Sequence, residues 1–104
     1  MNVPTPALKD DVLYFGTVSG RDENKLKTRG FTATPGRMVT SPIIEECVIH
    51  YECKVVNKND ILPDMLADEI RDGIYRSLNI GFHRIFHGEI LAVYADEDAK
   101  NILA

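Results

Sequence analysis

Ile43-Ile44-Glu45-Glu46-Cys47-Val48-Ile49-His50-Tyr51-Glu52-Cys53-Lys54-Val55-Val56 alternates with a period of two. Cys47, Ile49, Tyr51, Cys53 and Val55 share one face, and Glu46, His50, Glu52 and Lys54 share the other. Alternation of this kind predicts a half-buried β-strand with its apolar face inward. Arg84 to Ala95 reads as a second strand, apolar on both faces and therefore central in its sheet. Asp96-Glu97-Asp98 ends it.

Between the two strands, Asn57-Lys58-Asn59-Asp60 reads as a turn, and Pro63 to Leu78 as a helix. Leu66, Ile70, Ile74 and Leu78 form its apolar stripe, and Asp72 stands one helical turn before Arg76. Gly73 weakens this helix by about 1 kcal/mol relative to alanine. Upstream, Thr5-Pro6 pairs a hydroxyl cap with proline at the first helical position. Leu8, Val12 and Phe15 then recur on one helical face. Ser19-Gly20 closes that helix, Asp22 caps a second, short one, and Gly30 terminates it. Phe31 to Ser41, rich in Thr, Pro and Gly, is a loop with room for a short strand.

At 104 residues the chain is one domain at most, of a size that buries roughly two-thirds of its unfolded surface. A net charge of −4 provides no basic field for nucleic acid or anionic lipid. No apolar run reaches membrane-span length, and Met1-Asn2-Val3-Pro4 lacks the features of a signal peptide. A cytoplasmic location is the default expectation. Cys47 and Cys53 are six positions apart on one strand, so their Cα atoms would be roughly 20 Å apart, against the less than about 7 Å a disulfide requires. Buried, reduced thiols are expected, and no metal site.

Few residues suggest chemistry. Ser19 and Gly20, at a helix junction, can offer a hydroxyl and unhindered backbone N–H groups to a phosphate, with Arg21 and Lys25 adding charge. The same residues also read as a capping box between Ser19 and Asp22 with solvated cations. His50, on the polar strand face, is expected to be exposed. His83 and His87 flank Phe86 between Gly81 and Gly88, where a histidine either contacts a flat polar ring or lies on the surface. Glu45 and Glu46 point to opposite faces, so they do not form a dyad, and no catalytic residue is assigned.

Taken in order, these segments resemble the flavin reductase-like family, the FMN-binding split β-barrels that include flavoredoxins. Asn2-Val3-Pro4-Thr5 is similar to the end of a family strand entering a helix, and Gly16 with Ser19-Gly20-Arg21-Asp22 and Lys25 to the helix-to-turn segment. Pro42 to Cys47 resembles the entry to a barrel strand, and His83-Arg84-Ile85-Phe86-His87-Gly88-Glu89-Ile90 the family's Gly-Asp-His segment with its following strand. The resemblance omits about Asn57 to Ile80, so residues 57–81 are expected to be a helical insertion in a single partial domain, 1–104.

The resemblance implies an α+β, mainly β fold that begins partway through the family domain, lacks the opening strands, and is completed by a partner chain. It implies FMN with NADH or NADPH as co-substrate, hydride or electron transfer through the flavin, and a homodimer. Ser19, Gly20, Arg21 and Lys25 would lie on the phosphate side and His83 on the nucleotide side. The acid before the family histidine is Phe82 here, which puts nicotinamide use in question. A cofactor-free, dimerising assembly module is the alternative. Two strong strands and a weak third cannot bury both faces of a sheet, so a covering segment is expected from another chain or another part of the polypeptide.

Overall fold

The computed structural model describes residues 1–78 and 81–104, so the last two residues before Gly81 lie outside the described residues. The chain divides into two compact units, Met1–Lys54 with Ile90–Ala104, and Val55–Glu89.

In the first unit, the N-terminal strand β1 (Asn2–Val3) pairs antiparallel with the start of β4 (Ile49–Asp60), Asn2 opposite His50 and Val3 opposite Ile49. The Val3 carbonyl accepts from Val48 N–H (2.8 Å), and Met1 exchanges bonds with Tyr51. A 3-10 turn at Pro6–Leu8 leads into helix α1 (Lys9–Thr17). Pro6 starts it as proposed, but the Thr5 hydroxyl caps nothing. Helix α2 (Lys25–Thr28) is capped by Asn24, which accepts from Lys27 N–H at 3.3 Å, and not by Asp22. Gly30 closes it at φ +74°, a left-handed conformation that glycine tolerates. Strands β2 (Ala33–Pro35) and β3 (Pro42–Ile44) form a separate antiparallel pair. Helix α4 (Ala99–Ile102), which the sequence reading did not identify, follows the acidic stop.

The strand expected from Ile43 to Val56 is broken: β3 ends at Ile44, a turn intervenes, and β4 runs on to Asp60. The period of two is observed, but the expected orientation is inverted. Val48, His50 and Glu52 are buried, whereas Ile49, Tyr51 and Cys53 are half-buried. His50, expected to be exposed, retains 7% of its surface, and Glu52 2%. Hydrogen bonding to partners distant in sequence is responsible, because the polar side chains turned inward, His50 and Glu52, each find one. His50 Nδ1–H donates to Asn2 Oδ1 at 2.8 Å. Glu52 is satisfied by a whole loop, described below. Both cysteines are free thiols, Cys47 buried and Cys53 half-buried; burial first and Glu46 second push the Cys47 thiol up.

In the second unit, the turn expected at Asn57–Asp60 is strand. Cross-strand partners on β5 (Arg84–Ala95) keep its polar residues extended. Arg84 Nε meets Asp60 at 2.6 Å, and His87 Nε2–H donates to Asn59 Oδ1 at 2.9 Å. The sheet order is β1-β4-β5, so β4 is central and β5 is an edge, the reverse of the expectation for β5. The expected helix from Pro63 to Leu78 is interrupted. A 3-10 turn at Pro63–Met65 ends in extended Leu66 and Ala67 (ψ 139° and 140°), followed by one turn of α3 (Asp68–Ile70) and a π-helical stretch at Arg71–Arg76. Asp72 and Arg76 pair at 2.9 Å as predicted. The stripe Ile70, Ile74 and Leu78 is exposed, and Tyr75 is the buried residue instead.

Among the described residues, the buried apolar side chains are Cys47, Val48 and Tyr75. The core is thinner than chain length predicts.

Candidate functional site

Ser19, Gly20, Arg21 and Lys25 lie in the connection from α1 to α2, and their geometry is set by contacts back to α1. The Ser19 hydroxyl accepts from Arg21 N–H at 3.2 Å and from Arg21 Nε–H at 3.4 Å, while Asp22 N–H donates to the Ser19 carbonyl. Lys25 Nζ donates to the Phe15 carbonyl at 2.7 Å, completing one acceptor that α1 leaves open at its C-terminus. A second latch joins Tyr14 to Glu23, whose hydrogen bond holds the tyrosine hydroxyl above its ordinary pKa. A third pairs Arg29 with Asp11 at 2.7 Å, with the guanidinium stacked 4.7 Å over Tyr14.

These latches form a hollow lined by Phe15, Gly20, Glu23, Asn24, Lys25 and Leu26. Of the four expected phosphate-side residues, Gly20 and Lys25 line this hollow; Ser19 and Arg21 stand in the adjoining turn, and Lys25 opens α2. Gly20 faces open space, Arg21 is exposed, and Lys25 retains two ammonium donors beyond its bond to Phe15. The capping box between Ser19 and Asp22 does not form, because α2 is capped by Asn24. Glu23 lies in the same hollow and opposes an anion there.

A second hollow, of about 280 Å³, opens in the same unit between α1 and the strands. Pro4, Leu8, Val12, Phe15, Phe31 and Ile44 supply apolar lining, joined by Asn2, Asp11 and Cys47. Phe15 and Phe31 meet at 5.7 Å between ring centres.

The polar cluster that the sequence reading missed is centred on Glu52. Its carboxylate accepts from the backbone N–H groups of Arg37 (3.0 Å), Met38 (2.8 Å) and Val39 (3.1 Å) and from the Tyr94 hydroxyl. Arg37 stacks 4.7 Å over the Tyr94 ring, and His50 packs against the same ring at 5.3 Å. The Tyr94 bond, then the Arg37 N–H, lower the Glu52 carboxyl to about 2 against the opposing effect of burial. The available signal was Pro35-Gly36-Arg37, a tight turn able to present successive N–H groups to an acid. With every oxygen occupied, this acid is structural.

His83 belongs to the second unit. Its Nδ1 lies 2.6 Å from the Tyr75 hydroxyl, and its ring meets Tyr75 edge-on at 5.4 Å. Phe82 stacks on Tyr75, 4.6 Å between ring centres at 23°. His83 is exposed, whereas Tyr75 is buried. His87 is tied to Asn59 on the strand surface. Among the described residues, no group of His, Cys, Asp and Glu could hold a metal ion, and no helix is long and apolar enough to cross a membrane.

Comparison with known proteins places the chain in a family. The flavin reductase like domain matches residues 2–104. The chain belongs to the flavin reductase-like family. It is 34% identical over 91 residues to an uncharacterized protein of Archaeoglobus fulgidus, covering 88% of this chain and 41% of that one. To an uncharacterized protein of Pyrococcus abyssi it is 30% identical over 99 residues, covering 95% and 45%. Among solved structures, flavoredoxin of Desulfovibrio vulgaris (Miyazaki F) superimposes with a TM-score of 0.65 at 27% identity, and flavoredoxin from Methanosarcina acetivorans with 0.66 at 27%. Each superposition covers 93% of this chain and 41% of the other. The chain thus spans less than half the length of these relatives. Its fold is a mixed α/β arrangement of antiparallel strand pairs similar to that of flavoredoxins.

Proposed function

We propose that this chain is part of an FMN-associated oxidoreductase of the split-barrel type, in which hydride or electrons pass through bound flavin. The observation that carries this reading is the family match across residues 2–104. In this reading FMN supplies the redox chemistry, and the chain supplies placement and electrostatics. The residues present fit a phosphate in part: Gly20 leaves the backbone open, and Arg21 and the unused Lys25 donors supply charge, while Glu23 works against it. His83 faces the nicotinamide nucleotide, NADH or NADPH, and residues 57–81 form an insertion beside it in sequence. The site works in a homodimer or with a partner chain that contributes further strands.

The test is a titration of the purified chain with FMN, followed by flavin absorbance, and then NADH oxidation with FMN present. Saturable binding that weakens when Arg21 and Lys25 are replaced by Gln supports the reading. A chain that leaves the flavin spectrum unchanged at high micromolar FMN removes the enzyme assignment for this chain alone.

A second reading, a cofactor-free assembly module, is favoured by the exposed apolar residues of the strands, including Val55, Val56, Phe86, Ile90 and Val93. A stable, colourless dimer by light scattering supports it, and a well-folded monomer rules it out.

A further inference from the structure

Tyr75 is the one buried side chain of the second unit among the described residues, and it sits in a π-helical stretch. Such stretches are rare, and they are frequent at functional sites. The Tyr75 hydroxyl lies 2.6 Å from His83 Nδ1. Phe82 lies against the Tyr75 ring at 4.6 Å and nearly parallel, which fixes the phenol from the side. The imidazole is exposed, and among the described residues Nε2 has no hydrogen-bond partner.

We infer that Tyr75, backed by Phe82, is the positioning residue for His83, holding its imidazole with Nδ1 as acceptor so that Nε2–H faces outward as a donor. With the phenolic O–H as donor, the neutral imidazole meets it through its one acceptor nitrogen. The outward N–H then suits an oxygen acceptor on the nucleotide, such as a phosphate or carboxamide oxygen. This part rests on the reading of His83 as the nucleotide-side residue.

The test begins with the native chain, labelled with 15N, at alkaline pH where histidines are neutral. Long-range nitrogen–proton spectra should show His83 with a bare Nδ1 and a protonated Nε2. His50 provides an internal contrast, since its Nδ1–H donates to Asn2. Tyr75→Phe keeps the ring and its stack on Phe82 but removes the hydroxyl. In that variant the His83 nitrogens should move to an averaged pattern while His50 and His87 stay fixed. Averaged His83 nitrogens in the native chain, or no change in Tyr75→Phe, overturns the proposal, and the first result needs no variant to fold.

NADH titration is the second arm. Loss of one orienting hydrogen bond should weaken the complex about three- to tenfold in Tyr75→Phe. Equal binding by both proteins overturns the role of Tyr75 in ligand placement. Absence of NADH binding to the native chain, with the tautomer as described, removes the nucleotide reading and leaves Tyr75 as the residue that orients His83.

Discussion

Glu52 shows how a carboxylate can sit inside a thin core without destabilising it. Three backbone N–H groups and a phenol surround its oxygens, and their combined preference for the charged form outweighs burial. The carboxyl falls from its ordinary 4.5 to about 2. In the unfolded chain it protonates first, so its stabilising contribution is complete above about 4.5 and is lost as pH falls toward about 2. Acid titration of the folded chain by circular dichroism should therefore show a loss of stability across that window. Glu52→Gln should be less stable at neutral pH and lose much of this acid dependence. An unchanged acid profile in the variant would place the sensitivity elsewhere. The outward prediction for His50 and Glu52 failed for one reason: alternation gives the period but not the sign of burial, and hydrogen-bond partners distant in sequence decided the sign.

At the scale of elements, the β2–β3 hairpin is fastened to β4 through Glu52, and Gly36 makes the close approach possible. A Cβ at Gly36 would meet Glu52 Oε1 at 2.5 Å and the Val39 carbonyl at 2.6 Å. Gly36→Ala should cost about 1–3 kcal/mol, measured by urea unfolding, as expected for overpacking against backbone that cannot retreat. A cost near zero would mean that the hairpin is not held against β4. The ends of elements were partly readable. Gly30 stops α2, and Pro6 opens the turn before α1, as their backbone preferences dictate. Strand β5 was assigned its observed limits. The break at Leu66 and Ala67 was not readable, because Leu66, Ile70, Ile74 and Leu78 keep a helical period whether or not the backbone is continuous. The turn assigned at Asn57–Asp60 failed because Asn and Asp favour turns only until a strand offers them partners, here His87 and Arg84.

At the scale of the molecule, the scarcity of buried apolar side chains is the dominant fact. Each unit exposes large residues along its strands: Ile90, Leu91 and Val93 in one, Val55, Val56 and Phe86 in the other. Strand β5 is also an edge twelve residues long, which presents unpaired backbone groups to any neighbouring strand. The chain covers 41% to 45% of the length of the curated relatives it matches. If these faces are closed by association, Val93→Lys should shift the mass seen by light scattering toward a single chain, because an unpaired ammonium cannot be buried cheaply. An unchanged mass would exclude this part of β5 from the contact.

The sequence by itself determined the family, the period of the strands and the positions where glycine and proline punctuate the chain. These are local properties, fixed by side-chain spacing and backbone preference. Only the tertiary structure decided which face of β4 turns inward, which strand is central and what His83 bonds to. Glu52 and His50 depend on partners far along the chain, Arg37 and Tyr94 for the first and Asn2 for the second, and His83 on Tyr75 eight positions away across a break in the helical pattern; side-chain periodicity does not encode where such partners meet.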